Sequence, residues 1–311
     1  MDKNYAPKKP LAILLASLGM FSAFPAHALV IDGLSGDLSA RAGINSPVTD
    51  SQGPFAASLP YMSVNDSDGM SSAYADAFGY AAGPYRASAS GNGVFNSTGR
   101  FLRSWGITND SGTAQNYSFT FFIYYGGMYA SDNGVSGSGF SEYAVSIIQD
   151  GSTSLFGSTA KITSDGTLTT TGTILNGASQ SGSSYFWGGT YFTVNLGVLN
   201  AGQSTSVAYD LVSHAFGDYG FADCGGGYGY GDGYGDGYGD GEAPIVALTG
   251  VGRLNCTGAS YSSLGDPDDL NATPIAGIGV FSSNAVPEPG MLGLLGIGGL
   301  AALGLRRRRR I

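Results

Sequence analysis

Lysine occurs four times in 311 residues, and three of the four sit at Lys3, Lys8 and Lys9. Between Leu29 and Ala285 there are six basic residues (Arg41, Arg86, Arg100, Arg103, Lys161, Arg253) against 21 Asp and Glu, a net charge of −15. So little positive charge argues against nucleic acid or anionic lipid as partners, and is compatible with divalent cations and neutral glycans. Histidine is scarcer still: His27 and His214 are the two present. Any Ser-His or Cys-His nucleophile pair in the body, or any zinc site, would have to use His214. No G-x-S-x-G elbow occurs. Cysteine appears at Cys224 and Cys256 alone. Long hydrophobic runs are missing too, the two candidates being Leu11–Phe24 and Met291–Leu305, 14 and 15 residues long.

Glycine is abundant, at 52 residues, while charged residues make up only 12%. With plentiful Ser, Thr and Asn, this composition suits a secreted, turn-rich β protein better than a cytosolic enzyme. The 257 residues from Leu29 to Ala285 suffice for one large all-β domain, expected as an antiparallel two-sheet, jelly-roll-like sandwich. Strands are expected around Leu29–Leu34 and Phe55–Val64. In Ala73–Ala81 the residues Tyr74, Asp76, Phe78 and Tyr80 alternate with alanine and glycine, giving one bulky and one small face. Phe101–Thr108 and Asn116–Tyr125, separated by N-D-S-G-T-A-Q, read as a hairpin that brings Trp105 to the row Tyr117, Phe119, Phe121 and Ile123. Trp105 is expected in the core, with a sugar platform as the alternative. Glu142–Gln149 and Ser154–Ser164 flank the turn signal Asp150-Gly151. Tyr185–Val198 and Ser204–His214 form another hairpin-like unit about Asn200-Ala201-Gly202.

Chemistry-bearing patterns are thin. Thr167, Thr169, Thr171 and Thr173 share one strand face; an ice-binding surface would need several such rows. Residues 225–241 repeat Gly-Tyr-Gly-Asp, placing Asp232, Asp236 and Asp240 four residues apart. Weak Ca²⁺ collection is conceivable there, but the spacing matches neither an EF-hand nor a calcium β-roll, and a hydrated loop is the default. Otherwise no cofactor is expected. Cys224 and Cys256 bracket this excursion and, in an exported chain, read most simply as a disulfide closing over 31 intervening residues. Asp266, Asp268 and Asp269 could pair as glycosidase carboxylates but look more like a turn.

The termini carry addresses. Met1–Ala28 has a lysine-bearing start, the apolar run Leu11–Phe24 and the small-x-small site Ala26-His27-Ala28, the layout of a secretory signal cut by signal peptidase after Ala28. At the other end stand Val286-Pro287-Glu288-Pro289-Gly290, the apolar Met291–Leu305, and Arg306, Arg307, Arg308, Arg309 and Arg310. As a helix the apolar run measures about 22 Å, short of a bilayer core of about 30 Å. The arginines would hold to the cytoplasmic side and the prolines to the outer face. This order, over residues 286–311, resembles the PEP-CTERM sorting tail of Gram-negative exported proteins. The resemblance implies transient inner-membrane insertion through a short transmembrane helix. Processing by an exosortase-type membrane protease would follow, then release or attachment at the cell surface, often beside exopolysaccharide. A permanent single-pass anchor is the alternative. The chain as a whole therefore reads as a non-enzymatic surface or matrix protein. A carbohydrate- or Ca²⁺-binding module and a secreted hydrolase are the rival classes.

Overall fold

Val94–Thr108 alternates between buried and half-buried side chains through all 15 of its residues. Ser204–Tyr219 does nearly the same over 16. Such period-two burial is what a strand at the centre of a two-layer structure requires. The computed structural model describes residues 29–80, 85–223, 255–265 and 279–283, with side chains over 33–80, 85–221 and 257–265. The expected signal helix, residues 225–241, Cys224, the Asp266 to Asp269 turn and the whole tail from Val286 lie outside the described residues.

Among the described residues every regular element is a strand. In chain order they are β1 (Leu29–Ala42), β2 (Val48–Phe55), β3 (Ser58–Ser67), β4 (Ser72–Tyr80), β5 (Tyr85–Asn92), β6 (Val94–Thr108), β7 (Gln115–Ile123), β8 (Gly126–Ser131), β9 (Gly137–Gln149) and β10 (Thr153–Thr163). Then follow β11 (Leu168–Gly172), β12 (Ser179–Ser181), β13 (Ser184–Trp187), β14 (Thr190–Leu199), β15 (Ser204–Tyr219), β16 (Phe221–Asp223), β17 (Asn255–Thr257), β18 (Ala259–Gly265) and β19 (Gly279–Ser283). One seven-stranded sheet runs β11-β10-β9-β15-β6-β1-β2 and faces a second, β12-β13-β8-β18-β5-β4-β3. A three-stranded sheet, β14-β7-β19, and the short β16-β17 ladder complete the set. All pairings are antiparallel.

The β9–β10 hairpin forms at the Asp150-Gly151 turn, where both residues adopt positive φ. Two other expected hairpins do not form. β6 and β7 enter different sheets, β6 pairing with β1 and β15, and β7 with β14 and β19. Likewise β14 joins β7 while β15 inserts between β6 and β9. In both cases the connecting turn carries the chain from one sheet to another. Asn109 is buried in that crossing and donates to the carbonyls of Thr113 and Leu199 at 2.8 and 2.7 Å, tying the two turns together.

The sheets approach most closely where their inner rows are Ala, Ser and Gly. Ala73, Ala75, Ala77, Ala87 and Ala89 line β4 and β5 there. Opposite them, Ser97 and Ser213 donate across the interface to the carbonyls of Ser90 and Ala87 at 2.8 and 2.7 Å. Thus the small face of β4 is the one that packs, and its bulky face turns outward. A Cβ on Gly99 would stand 2.3 Å from the Ser88 carbonyl oxygen and 2.8 Å from that of Asp76. Gly99→Ala is therefore expected to force the sheets apart and cost about 1–3 kcal/mol. Gly157, with nothing within 4 Å of its added Cβ, should tolerate alanine within about 0.5 kcal/mol. Urea denaturation of both variants checks this, and equal effects would show that Gly99 does not set the spacing.

Candidate functional site

Away from Gly99 the gap between the layers is filled by rings. Arg103, wholly buried on the inner face of β6, lies among them: its guanidinium carbon is 5.4 Å from the Tyr85 ring centre, 5.0 Å from Trp105 and 6.0 Å from Tyr209. Nη1 donates to the Tyr80 carbonyl at 3.0 Å. The Tyr85 and Tyr209 hydroxyls meet each other and the Phe122 carbonyl. Burial pushes both phenols up, so they stay protonated, while the same burial lowers Arg103 and the neighbouring tyrosines act against it. A cation held by neutral phenols and ring faces, closed to solvent, is a cation–π core and offers a substrate no entry. Trp105 is 2% exposed and lies 4.7 Å from Phe119. It is thus a core residue, and the sugar-platform alternative for it fails; its contact with the β7 aromatics is real but comes from packing between sheets.

His214 stands on the outer face of the β11–β2 sheet. Register rows cross that face, one of them running Thr169, Lys161, Glu142, His214, Thr98, Ser39 and Thr49. The imidazole Nε2 is 2.9 Å from Asn96 Oδ1, and its ring meets Phe140 edge-on at 5.0 Å. Lys161 Nζ sits 3.5 Å over the other partner of that cluster, the Phe140 ring. Burial lowers the His214 pKa; Glu142 opposes this and Lys161 adds to it. These contacts describe a packed surface histidine. Thr169 and Thr171 face outward beside Lys161 and Thr159, and the Thr171 and Thr159 hydroxyls bond each other. The next strand brings Glu142 and Ala144, so the threonine array does not continue. Among the described residues no group of three or more His, Cys, Asp or Glu gathers to hold a metal ion.

The opposite outer face, on the β12–β3 sheet, is aromatic. Tyr129, Tyr261 and Tyr74 share one register row, with Ser90 between the last two. Phe186, Gly127, Ser263, Ser88 and Asp76 share the next. Asp76 is buried and pairs with Arg86 Nε at 3.1 Å, and Arg86 Nη2 reaches Ser88 Oγ at 3.4 Å. The Tyr61 and Tyr74 hydroxyls bond each other, and burial raises Tyr74, with Asp76 and Tyr61 adding to it. From the sequence this face was half visible in the bulky row of β4; Tyr61, Tyr129, Tyr261 and Phe186 join it only through sheet order.

The C-terminus carries a contiguous motif of its own. Residues 285–309 match the family model of the PEP-CTERM protein-sorting motif. The match takes in Val286, Pro287, Glu288 and Pro289, the apolar run and Arg306 to Arg309. No curated protein matches the chain. A PEP-CTERM tail marks an exported protein that exosortase-type machinery sorts through the membrane to the cell surface.

The His214 shift has a sign. Its folded pKa lies below the ordinary 6.5, so between the two values the unfolded chain binds more protons and stability falls as pH drops. Unfolding curves from pH 7.5 to 5 should therefore show a loss beginning near 6.5 that is shallower in His214→Gln. An unchanged slope in the variant would remove His214 as its source.

Proposed function

We propose that the chain is an exported, non-enzymatic protein of the cell surface or extracellular matrix, delivered through its PEP-CTERM tail and working beside exopolysaccharide. The observation that carries the proposal is the motif match over residues 285–309. Signal peptidase acts after Ala28, and the arginines Arg306 to Arg310 hold the tail until an exosortase-type protease cuts near Pro287 to Pro289. The body, residues 29–285, is then one jelly-roll-like sandwich, supported by two seven-stranded sheets facing each other. The buried Trp105 and the packed His214 support a structural role for the residues that chemistry would otherwise recruit.

A disulfide between Cys224 and Cys256 belongs to the same proposal. In β16–β17 Ala222 is opposite Cys256 and Asp223 opposite Asn255, so the chain leaves the body and returns to it at one place. Oxidised protein should give no free thiol with a thiol reagent before reduction. Cys256→Ser should lower stability by roughly 3–4 kcal/mol on the chain-entropy account. Two reactive thiols in the unreduced exported protein would refute the bridge.

The sorting step is tested in a host with exosortase-type machinery, by following mass and fractionation of the full chain. Wild type should lose its tail and leave the inner membrane. A variant with Pro287, Glu288 and Pro289 all changed to alanine should accumulate there at full length. Identical processing of the two would overturn the sorting proposal.

A further inference from the structure

The two outer faces of the sandwich differ in kind. That of the β11–β2 sheet carries Thr, Ser and paired charges, including the two-pronged Arg100–Asp210 contact at 2.9 Å, and its rings Phe140 and Phe216 are half-buried and stacked on each other at 5.3 Å. That of the β12–β3 sheet displays rings: Tyr61 is 52% exposed, Phe186 50% and Tyr261 36%. Clusters of exposed rings on an otherwise polar surface mark binding sites.

Three features make this face a platform. First, its rings are held in place. The Tyr61 hydroxyl is bonded to that of Tyr74, and its ring lies 6.4 Å from buried Phe78. Phe186 lies against Gly127, whose added Cβ would stand 2.8 Å from the ring, so the glycine leaves it room on the sheet. Second, small residues separate the rings. Tyr261 and Tyr74 flank Ser90 across β5, two strand spacings or roughly 9.6 Å apart. In the adjacent register row Ser263, Ser88 and Asp76 are buried, so the exposed groups here are the rings of Tyr61, Tyr261 and Phe186. Third, the face is charge-balanced, Arg86 being neutralised by Asp76 beneath it.

We propose that this face binds a neutral polysaccharide chain. A pyranose ring has apolar C–H faces that stack on aromatic rings, and equatorial hydroxyls that hydrogen-bond to groups at the rim. Tyr261 with Tyr129 on one side, and Tyr61 with Tyr74 on the other, supply the stacking surfaces about a disaccharide apart. Their hydroxyls supply the rim. Rigid rings lose little freedom on binding, which keeps a shallow site effective. A polyanion is disfavoured by the −15 net charge between Leu29 and Ala285 and by the absence of surplus positive charge among the platform residues named. The proposal takes from the surface-protein reading only that the ligand is met outside the cell.

The test is affinity electrophoresis of the full chain in mild detergent. The gels contain a soluble β-1,4-glucan, a mixed-linkage glucan or a galactomannan, with polygalacturonate as the anionic comparison. Retardation by at least one neutral polymer and none by polygalacturonate is expected. The triple variant Tyr61→Ser, Phe186→Ser, Tyr261→Ser should weaken that retardation at least about tenfold, the equivalent of roughly 1.4 kcal/mol. Its unfolding midpoint should stay unchanged, since all three side chains are exposed. Val198→Ser, exposed but on the β14 strand, should bind as wild type. No retardation by any neutral polymer overturns the proposal. So does equal retardation of wild type and triple variant, binding to polygalacturonate alone, or self-association that the triple variant abolishes while glycans leave it untouched; the last would mark a protein interface. Sorting is read separately on the Pro-Glu-Pro variant, so either proposal can fail without the other.

Discussion

At Gly99 the β6 backbone comes so near the carbonyls of Ser88 and Asp76 that no side chain fits between, and the spacing of both sheets follows from that contact. Close approach leaves the inner rows of β4 and β5 near that contact room only for small residues, Ala75, Ala77, Ala87 and Ala89, and it brings serine hydroxyls within reach of carbonyls in the other layer. Ser141 shows how far this goes. It donates to the Tyr129 carbonyl at 2.5 Å and accepts from the Tyr261 amide at 3.0 Å, inserting a side chain into the ladder of the facing sheet. A core held in this way is directional where a purely apolar core is not, because each hydroxyl has one acceptor in one register.

Where the layers diverge, the gap takes large side chains, Arg103 among them. A buried guanidinium costs much desolvation unless its surroundings repay it. Here ring faces at 5.0 to 6.0 Å and a carbonyl at 3.0 Å surround the cation. The same tyrosines hydrogen-bond to the Phe122 backbone, so the cation cluster also fixes the third sheet against the first.

What could be read in advance divides by range. The β9–β10 hairpin was legible because Asp150-Gly151 is a local turn signal between alternating runs, and the tail was legible because its three parts are contiguous. The β6–β7 and β14–β15 turns looked alike from sequence, yet each passes between sheets. Their fate is settled by strands far along the chain, such as β1 and β15 on either side of β6. The alternation in β4 was seen, but alternation does not say which face is inward. There the tight spacing at Gly99 turns the alanine row toward the other sheet, while Asp76 and Phe78 of the bulky row are buried on the far side. The tyrosine face was missed for the same reason: its members come from β3, β4, β8, β13 and β18, and only sheet order gathers them.

The β16–β17 ladder has one further consequence. Asp223 and Asn255 are paired, so the two ends of the sequence between them are held side by side in one ladder. Loop-closure entropy grows only logarithmically, about 0.6 kcal/mol for each doubling of length. With both ends fixed in this way, adding or removing one Gly-Tyr-Gly-Asp unit changes that closure term by less than about 0.6 kcal/mol.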